Sequence, residues 1–316
     1  MPRQAGQSTA RSSVGVWCDG RTPAAYSQAL RGWGATVEVP GEGRATDRRV
    51  FFNDHAPGQL VVSGSGPLPT FGQTAGTGSL WLLQPSAAWL EPPACPVRLL
   101  ASTASLAHGL RLMDIRAQAT GRVSLSIDFS GPQDAGDFTV ALADALDLVR
   151  RIAGPIESVA ASISGGGVSG TMSAEPLPAL SALGVGGGDL VARIGCEDGS
   201  VGALRVSVGG EWKRHVSING AFGQIELHLG ELSWRGPGGA LVEQTEMTGP
   251  TLESAIAASL EPSAPLVNCA VLAIDCEAAC LSAITGDVER PARMCAALGV
   301  SDAVQAAMIS PIFTRR

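Results

Sequence analysis

The chain has 316 residues, a formal net charge of −7 and only 16% charged residues. It has no basic stripe or cluster of the kind that binds nucleic acid or anionic lipid, so we expect neither nucleic acid nor membrane as a partner. Its hydrophobic fraction of 45% is enough for buried cores, and no apolar run is long enough to cross a bilayer. The composition therefore predicts a globular cytoplasmic protein.

The N-terminal segment and the cysteines give two further expectations. Residues 1–12 are polar with no apolar run behind them, which predicts a disordered tail and no signal peptide. The chain has seven cysteines, which we expect to be reduced and mostly buried. Cys276 and Cys280 have the spacing of one helix face, but further ligands at metal-site spacing are lacking, so we expect structural thiols and no metal.

Residues 13–105 are predicted to form a small doubly wound α/β domain. A helix opened by Thr22-Pro23 covers residues 24–31 and is stopped by Gly32. Short apolar or alternating runs predict strands at residues 14–17, 35–39, 59–63, 80–83 and 98–101. Because a strand, a helix and a second strand follow one another, we expect the paired strands to be parallel.

Residues 106–316 have a different pattern and are predicted to form an α+β domain. A helix begins near residue 106, and the apolar stripe of residues 137–153 predicts the best helix of the chain. Alternating runs predict strands at residues 123–131, 158–164, 189–195, 202–208, 215–220, 223–229 and 231–234. This order favours a large open, mostly antiparallel sheet, followed by helices at 251–309 that could pack back on the N-terminal domain. The glycine-rich residues 184–189 lead into a strand, so we expect a flexible connection there.

Three segments of the C-terminal domain resemble one known family. They are DALDLVRRIAGPIESV at 144–159, DLVARIGCEDGSVGALRVSV at 189–208 and HVSINGAFGQIEL at 215–227. They are similar, in this order, to the HxxDLxxxLxGxPxxV segment, the strand–turn–strand hairpin and the I-x-G-x-x-G-x-I strand pair of the Gfo/Idh/MocA family, the glucose-fructose oxidoreductase and inositol dehydrogenase group. The resemblance implies a Rossmann-like N-terminal domain before the α+β domain. It covers residues 106–240 by sequence and the N-terminal part by topology.

The resemblance also locates the cofactor loop. In this family the first strand leads into GxGxxG, whose glycines let the backbone approach the pyrophosphate. Here the loop is CDGRTP, in which the candidate cofactor residues are Asp19, Gly20, Arg21 and Thr22. One glycine remains, and Glu38 or Glu42 would have to hold the ribose. We therefore expect no cofactor bound in the usual manner, and NAD or NADP if the protein is active.

Two catalytic positions of the family are also changed. The stretch LWLLQP places Gln84 at the position of the catalytic lysine, and Asp144 stands where the family has its general-base histidine, while Asp147 keeps the family's aspartate. A carboxylate is a weak base unless burial raises its pKa. The spacing alone favours a solvated helix face with an Asp147–Arg151 pair. His108, beside the helix that borders the presumed cleft, is the remaining catalytic candidate.

Three functions follow as hypotheses. The first is an oxidoreductase homologue without standard dehydrogenase activity, with a binding, regulatory or scaffold role at a sugar-type cleft. The second is an active NAD(P)-dependent oxidoreductase on a sugar or polyol with a non-standard cofactor loop. The third is a cofactor-independent lyase or hydrolase that uses Asp144 and Asp147. The resemblance further implies a homodimer formed through the open face of the C-terminal sheet, a face that we expect to be apolar.

Overall fold

The structure, a computed structural model, describes residues 96–131, 138–165, 177–183, 188–228, 230–246, 251–261 and 263–309. Ahead of residue 96 it describes residues 14–18, 24–32, 36–38, 59–63, 79–82, 85 and 87–90. The expected tail at 1–12, the candidate cofactor residues 19–22, Glu42, Gln84 and residues 184–187 lie outside the described residues.

The first sheet has five parallel strands in the order β2-β1-β3-β4-β5. They are β1 (Val14–Cys18), β2 (Thr36–Glu38), β3 (Gln59–Ser63), β4 (Ser79–Leu82) and β5 (Val97–Leu99). Helix α1 (Ala24–Gly32) follows β1. The predicted α/β fold with parallel strands is confirmed. Because the strands are parallel, their carboxyl ends lie at one edge of the sheet. The strand order reverses between β1 and β3, and sheets of this kind bind ligands at the carboxyl edge beside such a reversal.

The second sheet has eight strands in the order β13-β12-β11-β10-β6-β9-β8-β7. They are β6 (Val123–Gly131), β7 (Ile156–Ser164), β8 (Asp189–Cys196), β9 (Val201–Val208), β10 (Lys213–Gly220), β11 (Gly223–His228), β12 (Glu231–Arg235) and β13 (Leu241–Glu246). Only β6 and β9 pair in parallel, so the predicted mostly antiparallel sheet is confirmed. The sequence analysis missed the edge strand β13, because LVEQTE has no buried face and therefore no clear alternation.

Seven further helices are described. They are α2 (Ala107–Gln118), α3 (Phe138–Ala153), α4 (Pro178–Leu183), α5 (Leu252–Ser259), α6 (Cys269–Thr285), α7 (Pro291–Ala297) and α8 (Asp302–Met308). Short 3₁₀ turns occur at Ala87–Leu90 and Thr103–Ser105. Helix α5 packs against α1, and α6 packs against the first 3₁₀ turn, so both C-terminal helices contact the N-terminal part of the chain.

Helix α3 is buried along its whole length. It lies against β6 and β9 on one side and against α6 on another, and its N-terminal half contacts the second 3₁₀ turn. The expectation of a solvated face is therefore wrong, since Asp144, Asp147 and Arg151 are all buried. The Asp147–Arg151 pair itself is present, with 2.7 Å from Arg151 Nε to Asp147 Oδ2. The spacing along one helix predicted the Asp147–Arg151 pair, but it could not predict that segments distant in sequence bury this pair.

The outer face of the second sheet is mostly polar, with Val191 of β8 and Val201 of β9 among its exposed large apolar side chains. In β6 the inward positions are Val123, Leu125, Ile127 and Phe129, whereas serines and Asp128 point outward. The outward positions of β10 are likewise Lys213, His215, Ser217 and Asn219. The expectation that this face is apolar is wrong, because only the helix-covered face carries the alternating apolar residues.

Among the described residues, five cysteine side chains are buried, as expected from the sequence: Cys196, Cys269, Cys276, Cys280 and Cys295. Within the same described segments, no cluster of three or more His, Cys, Asp or Glu side chains is arranged to hold a metal ion. None of the described helices combines the length and the hydropathy needed to cross a bilayer.

Candidate functional site

The segment that leaves the carboxyl end of β5 lies at the ligand-binding edge of the parallel sheet. It comprises residues 100–106, runs into α2, and is called here the β5–α2 segment. Ala101 has φ 57, the one positive value of a non-glycine residue in the described parts of the chain. Such a conformation costs a non-glycine residue about 1–3 kcal/mol and persists where the surroundings impose it. The segment is therefore held in place by its neighbours.

Two other segments supply the hydrogen bonds that hold it. The Ser102 amide donates to Ser259 Oγ of α5 at 3.0 Å. The Thr103 amide donates to Asp144 Oδ1 at 2.7 Å, and the Thr103 hydroxyl donates to Asp144 Oδ2 at 2.7 Å. Asp144 thus binds the segment through both of its oxygens, and it does so from the middle of α3.

Arg214 of β10 completes the environment of Asp144. Its Nε donates to Asp144 Oδ2 at 2.9 Å, and its Nη1 donates to the carbonyls of Ser130 at 2.8 Å and Lys213 at 3.0 Å. The guanidinium carbon lies 4.2 Å from the centre of the Trp212 ring and 4.6 Å from that of Phe129. Cation–π contacts of this kind fix the plane of the guanidinium. Both charged groups are buried, with 2% of Asp144 and 3% of Arg214 exposed.

The chemistry available to Asp144 follows from this environment. Burial raises the pKa of Asp144, while the Arg214 guanidinium and the Thr103 donors act in the opposite direction. A general base must reach the proton that it removes, directly or through one water. The oxygens of Asp144 are instead engaged by Thr103 and Arg214. The geometry is that of a group that holds other groups in place.

Two buried polar atoms in this region have no hydrogen-bond partner among the described residues, His108 Nε2 and Trp212 Nε1. His108 lies on the first turn of α2 and is 4% exposed. The next residue, Gly109, touches Thr103 so closely that a Cβ atom there would lie 1.9 Å from the Thr103 carbonyl oxygen. The region containing His108, Thr103, Asp144, Trp212 and Arg214 is called here the junction cluster.

Of the remaining sequence-predicted residues, the structure describes Asp147 and does not describe residues 19–22 or Gln84. Asp147 bonds Arg151, whose Nη2 donates to the Leu266 carbonyl at 2.7 Å. The undescribed residues 19–22 lie between the end of β1 and the start of α1, and Gln84 lies two positions after β4 ends. Arg214 and Trp212 were not predicted from the sequence. Alternation was the available signal for Arg214, which shares the inward face of β10 with Val216 and Ile218.

A second buried polar region ties α3 to the C-terminal helices and is called here the C-terminal layer. Arg150 Nε of α3 donates to Asp275 Oδ2 of α6, Nη2 donates to Asp275 Oδ1 at 3.0 Å, and Nη1 donates to the Met308 carbonyl of α8 at 3.2 Å. Glu277 of α6 accepts the amides of Ala179 at 3.0 Å and Leu180 at 2.7 Å, which are on α4.

Comparison with known proteins shows similarity in structure alone. No family model matches the chain, and no curated protein matches it in sequence. An oxidoreductase from Agrobacterium radiobacter, solved with NAD+, L-tartaric acid and magnesium, is 11% identical with a TM-score of 0.55, over 90% of this chain and 99% of that one.

Two other solved structures match as extensively. Levoglucosan dehydrogenase with NADH and L-sorbose is 12% identical with a TM-score of 0.58, over 88% of this chain and 98% of that one. GenD2 from gentamicin A biosynthesis, solved with NAD, is 16% identical with a TM-score of 0.54, over 92% of this chain and 99% of that one. Together with the two sheets described above, these matches show that the chain has the two-domain fold of the Gfo/Idh/MocA-type oxidoreductases.

Proposed function

We propose that the chain is a Gfo/Idh/MocA-like oxidoreductase homologue that binds a sugar-like small molecule and lacks the standard NAD(P)-dependent dehydrogenase reaction. The observation that carries this proposal is the environment of Asp144. At the position of the general-base histidine stands a buried carboxylate whose oxygens are bonded to Thr103 and Arg214. The change of the catalytic lysine position to Gln84 and the single glycine at Gly20 in the cofactor loop support the same conclusion.

The class of ligand is inferred from the fold and its site. The structurally similar proteins were solved with levoglucosan and L-sorbose, which are small polyhydroxylated molecules. Such ligands need buried polar groups that are not already satisfied by the protein. The junction cluster offers His108 Nε2 and Trp212 Nε1, which have no partner among the described residues.

Titration of the purified protein with ligands and cofactors tests this function. Calorimetry and intrinsic fluorescence would follow levoglucosan, L-sorbose, myo-inositol, NAD(H) and NADP(H), with the chain's six tryptophans as reporters. We expect a polyol to bind and no change in absorbance at the reduced-nicotinamide band when polyol and cofactor are combined. Reduction of NAD+ or NADP+ by any of these polyols would overturn the proposal.

The second candidate is an active NAD(P)-dependent oxidoreductase on a sugar or polyol, with a rearranged cofactor loop. The observation that favours it is that structurally similar proteins were solved with NAD or NADH bound. The N-terminus of α1 supplies amides and a helix dipole, which carry much of the binding to a phosphate. Saturable binding of NAD(H) or NADP(H) together with turnover would establish it. The absence of cofactor binding at millimolar concentration would remove it.

The cofactor-independent alternative has less support. It requires two carboxylates that are free to act on a ligand. Asp144 and Asp147 are instead buried and bonded to Arg214 and Arg151. No observation on the described residues favours this chemistry over the first two functions.

We also propose that two copies associate through the outer face of the eight-stranded sheet. Its outward positions carry a net positive charge on β8 and β9, where Arg193 and Arg205 outnumber Asp189, which is bonded to Arg205 at 3.0 Å. They carry a net negative charge on β11 to β13, where Glu226, Glu231 and Glu246 outnumber Arg235. A two-fold axis normal to the face would bring the basic half of each copy over the acidic half of the other.

The salt dependence of the molecular mass tests this association. Light scattering after size exclusion is expected to give a dimer at low salt that weakens as salt rises, because salt screens exposed charges. The double variant Arg193→Glu/Arg205→Glu should be monomeric. A wild-type protein that is monomeric at every concentration would exclude the dimer.

A further inference from the structure

His108 is a buried imidazole whose Nε2 no described residue satisfies. It is 4% exposed, and its Nε2 has no hydrogen-bond partner in the parts of the chain that the structure describes. Buried polar side chains in folded proteins are nearly always bonded, so an exception calls for a partner that is not protein. The location at the carboxyl edge of a parallel sheet is where such folds bind small molecules.

The backbone around His108 has little freedom to move. Ala101 is held at φ 57, and the Ser102 amide is bonded to Ser259 Oγ. Gly109 lies directly against the Thr103 carbonyl, so the first turn of α2 and the β5–α2 segment must shift together. The position of His108 is therefore coupled to that of Thr103.

Asp144 is the group that fixes Thr103. It accepts both the amide and the hydroxyl of Thr103, and Arg214 holds its second oxygen from the opposite sheet. Arg214 is itself restrained by Phe129 and by two main-chain carbonyls. Asp144 thus links the end of the parallel sheet to β10 of the open sheet through one buried carboxylate.

We propose that Asp144 is a positioning residue that, with Arg214, holds the β5–α2 segment so that His108 presents Nε2 to a polyhydroxylated ligand. A neutral imidazole nitrogen either donates or accepts a hydrogen bond, and a hydroxyl group can complement both states. Hydrogen bonding to a hydroxyl group matches the ligand class of the proposed function, and the role given to His108 rests on that function. The role given to Asp144 in positioning Thr103 rests on the geometry alone.

Four variants separate positioning from general stability. Thr103→Val removes the hydroxyl donor to Asp144, and Thr103→Ser keeps it. Asp144→Asn places an amide group against the Arg214 guanidinium. Asp275→Asn is the matched control, because Asp275 of α6 is as buried as Asp144 and is bonded to Arg150 of α3 and not to Thr103.

The measurements are local and independent of turnover. The rate of amide hydrogen exchange at residue 103, divided by the rate at Ile127 in β6, measures how strongly Asp144 restrains the β5–α2 segment. The imidazole nitrogen resonances of His108 report its surroundings with and without levoglucosan, L-sorbose or myo-inositol. Calorimetry gives the affinity for the same three probes in each variant.

We expect Thr103→Val and Asp144→Asn to speed the relative exchange of Thr103 by about tenfold, since each removes a bond that closes the segment. The same variants should weaken probe binding by about fivefold or more, and His108→Ala at least as much. Thr103→Ser should restore both values. Asp275→Asn should lower stability yet leave relative exchange at Thr103 and probe affinity unchanged.

Different failures point to different errors. Unchanged relative exchange at Thr103 in Asp144→Asn would overturn the positioning role. Probe binding that leaves the His108 resonances unmoved would overturn the ligand role. If the wild-type protein binds none of the probes, both the proposed function and the ligand role fail, while the exchange data still decide the positioning role.

Discussion

The junction cluster and the C-terminal layer are both built around a buried aspartate–arginine pair that includes a residue of α3. In the junction cluster the pair is Asp144–Arg214, and in the C-terminal layer it is Arg150–Asp275. The two regions differ in what surrounds the pair. Of the atoms that the structure describes, His108 Nε2 and Trp212 Nε1 in the junction cluster are buried without a partner, and none in the C-terminal layer is. The polar groups of the C-terminal layer therefore complete a core, whereas the junction cluster leaves two polar groups available to a ligand.

The largest effect is expected from breaking either pair. Asp144→Leu and Asp275→Leu each leave a buried arginine without its counter-charge, which costs about 3–5 kcal/mol of the free energy of unfolding. Urea unfolding measures this loss. The double variants Asp144→Leu/Arg214→Met and Arg150→Met/Asp275→Leu should recover much of it, because well-packed apolar pairs often replace buried ion pairs without loss.

The double variants then distinguish the two regions. Once its stability has recovered, the Arg150→Met/Asp275→Leu protein should bind the polyol probes as the wild type does. The Asp144→Leu/Arg214→Met protein should be equally stable and should bind them weakly, because Thr103 has lost its anchor. Equal probe affinity in the two double variants would remove the distinction between the regions.

The sequence predicted the elements of these regions better than their contacts. The stripe of Leu142, Leu146 and Val149 predicted α3 correctly, because 3.6-residue periodicity is a local property. Burial of the polar side of α3 depends on α6, which is more than a hundred residues further along the chain, and no local pattern carries that information. The pairing of Thr103 with Asp144 joins positions 41 residues apart and was inaccessible for the same reason.

Gly109→Ala is a steric test of the coupling inside the junction cluster. Alanine favours a helix over glycine by about 1 kcal/mol, so propensity alone predicts a gain in stability. The added Cβ would lie 1.9 Å from the Thr103 carbonyl oxygen, which must then move. We expect a net loss of about 1–3 kcal/mol in the free energy of unfolding, as for overpacked cores.

A control on the same helix isolates the steric effect. Asp114→Ala changes an exposed position of α2 and should gain a few tenths of a kcal/mol, about the difference in helix propensity. Thermal unfolding of both variants measures whether each substitution raises or lowers the stability of the protein. A gain in stability for Gly109→Ala would show that the β5–α2 segment is free to shift and is not held by Asp144.

Glu277 provides a pH test of the C-terminal layer. Burial raises the pKa of Glu277, while the amides of Ala179 and Leu180 act in the opposite direction. Because the folded pKa lies above the unfolded value, the folded state prefers the protonated acid. Its contribution to stability is present below the unfolded pKa and is lost as pH rises through the folded pKa.

The comparison with Glu277→Gln isolates this titration. The variant cannot ionise, so the wild type should lose free energy of unfolding relative to it as pH rises from the acid range toward neutrality. Urea unfolding of both proteins at a series of pH values gives the difference. A difference that is constant with pH would show that the two α4 amides balance burial, and one that changes in the opposite direction would show that they outweigh it.

The smallest expected effect is a rate at Cys196. Burial, with a further contribution from the Asp198 carboxylate, raises the pKa of Cys196 to about 12, and the charges of Arg150 and Asp275 also act on this thiol. At pH 8 the thiolate fraction in the folded state is therefore on the order of 10⁻⁴, so alkylation proceeds through molecules in which the C-terminal layer has opened.

Asp275→Asn loosens the C-terminal layer directly, whereas Asp144→Asn loosens the junction cluster. In denaturant concentrations that give the two variants equal free energies of unfolding, iodoacetamide should modify Cys196 a few-fold faster in Asp275→Asn. Equal rates would mean that the two regions open only together, as one cooperative unit.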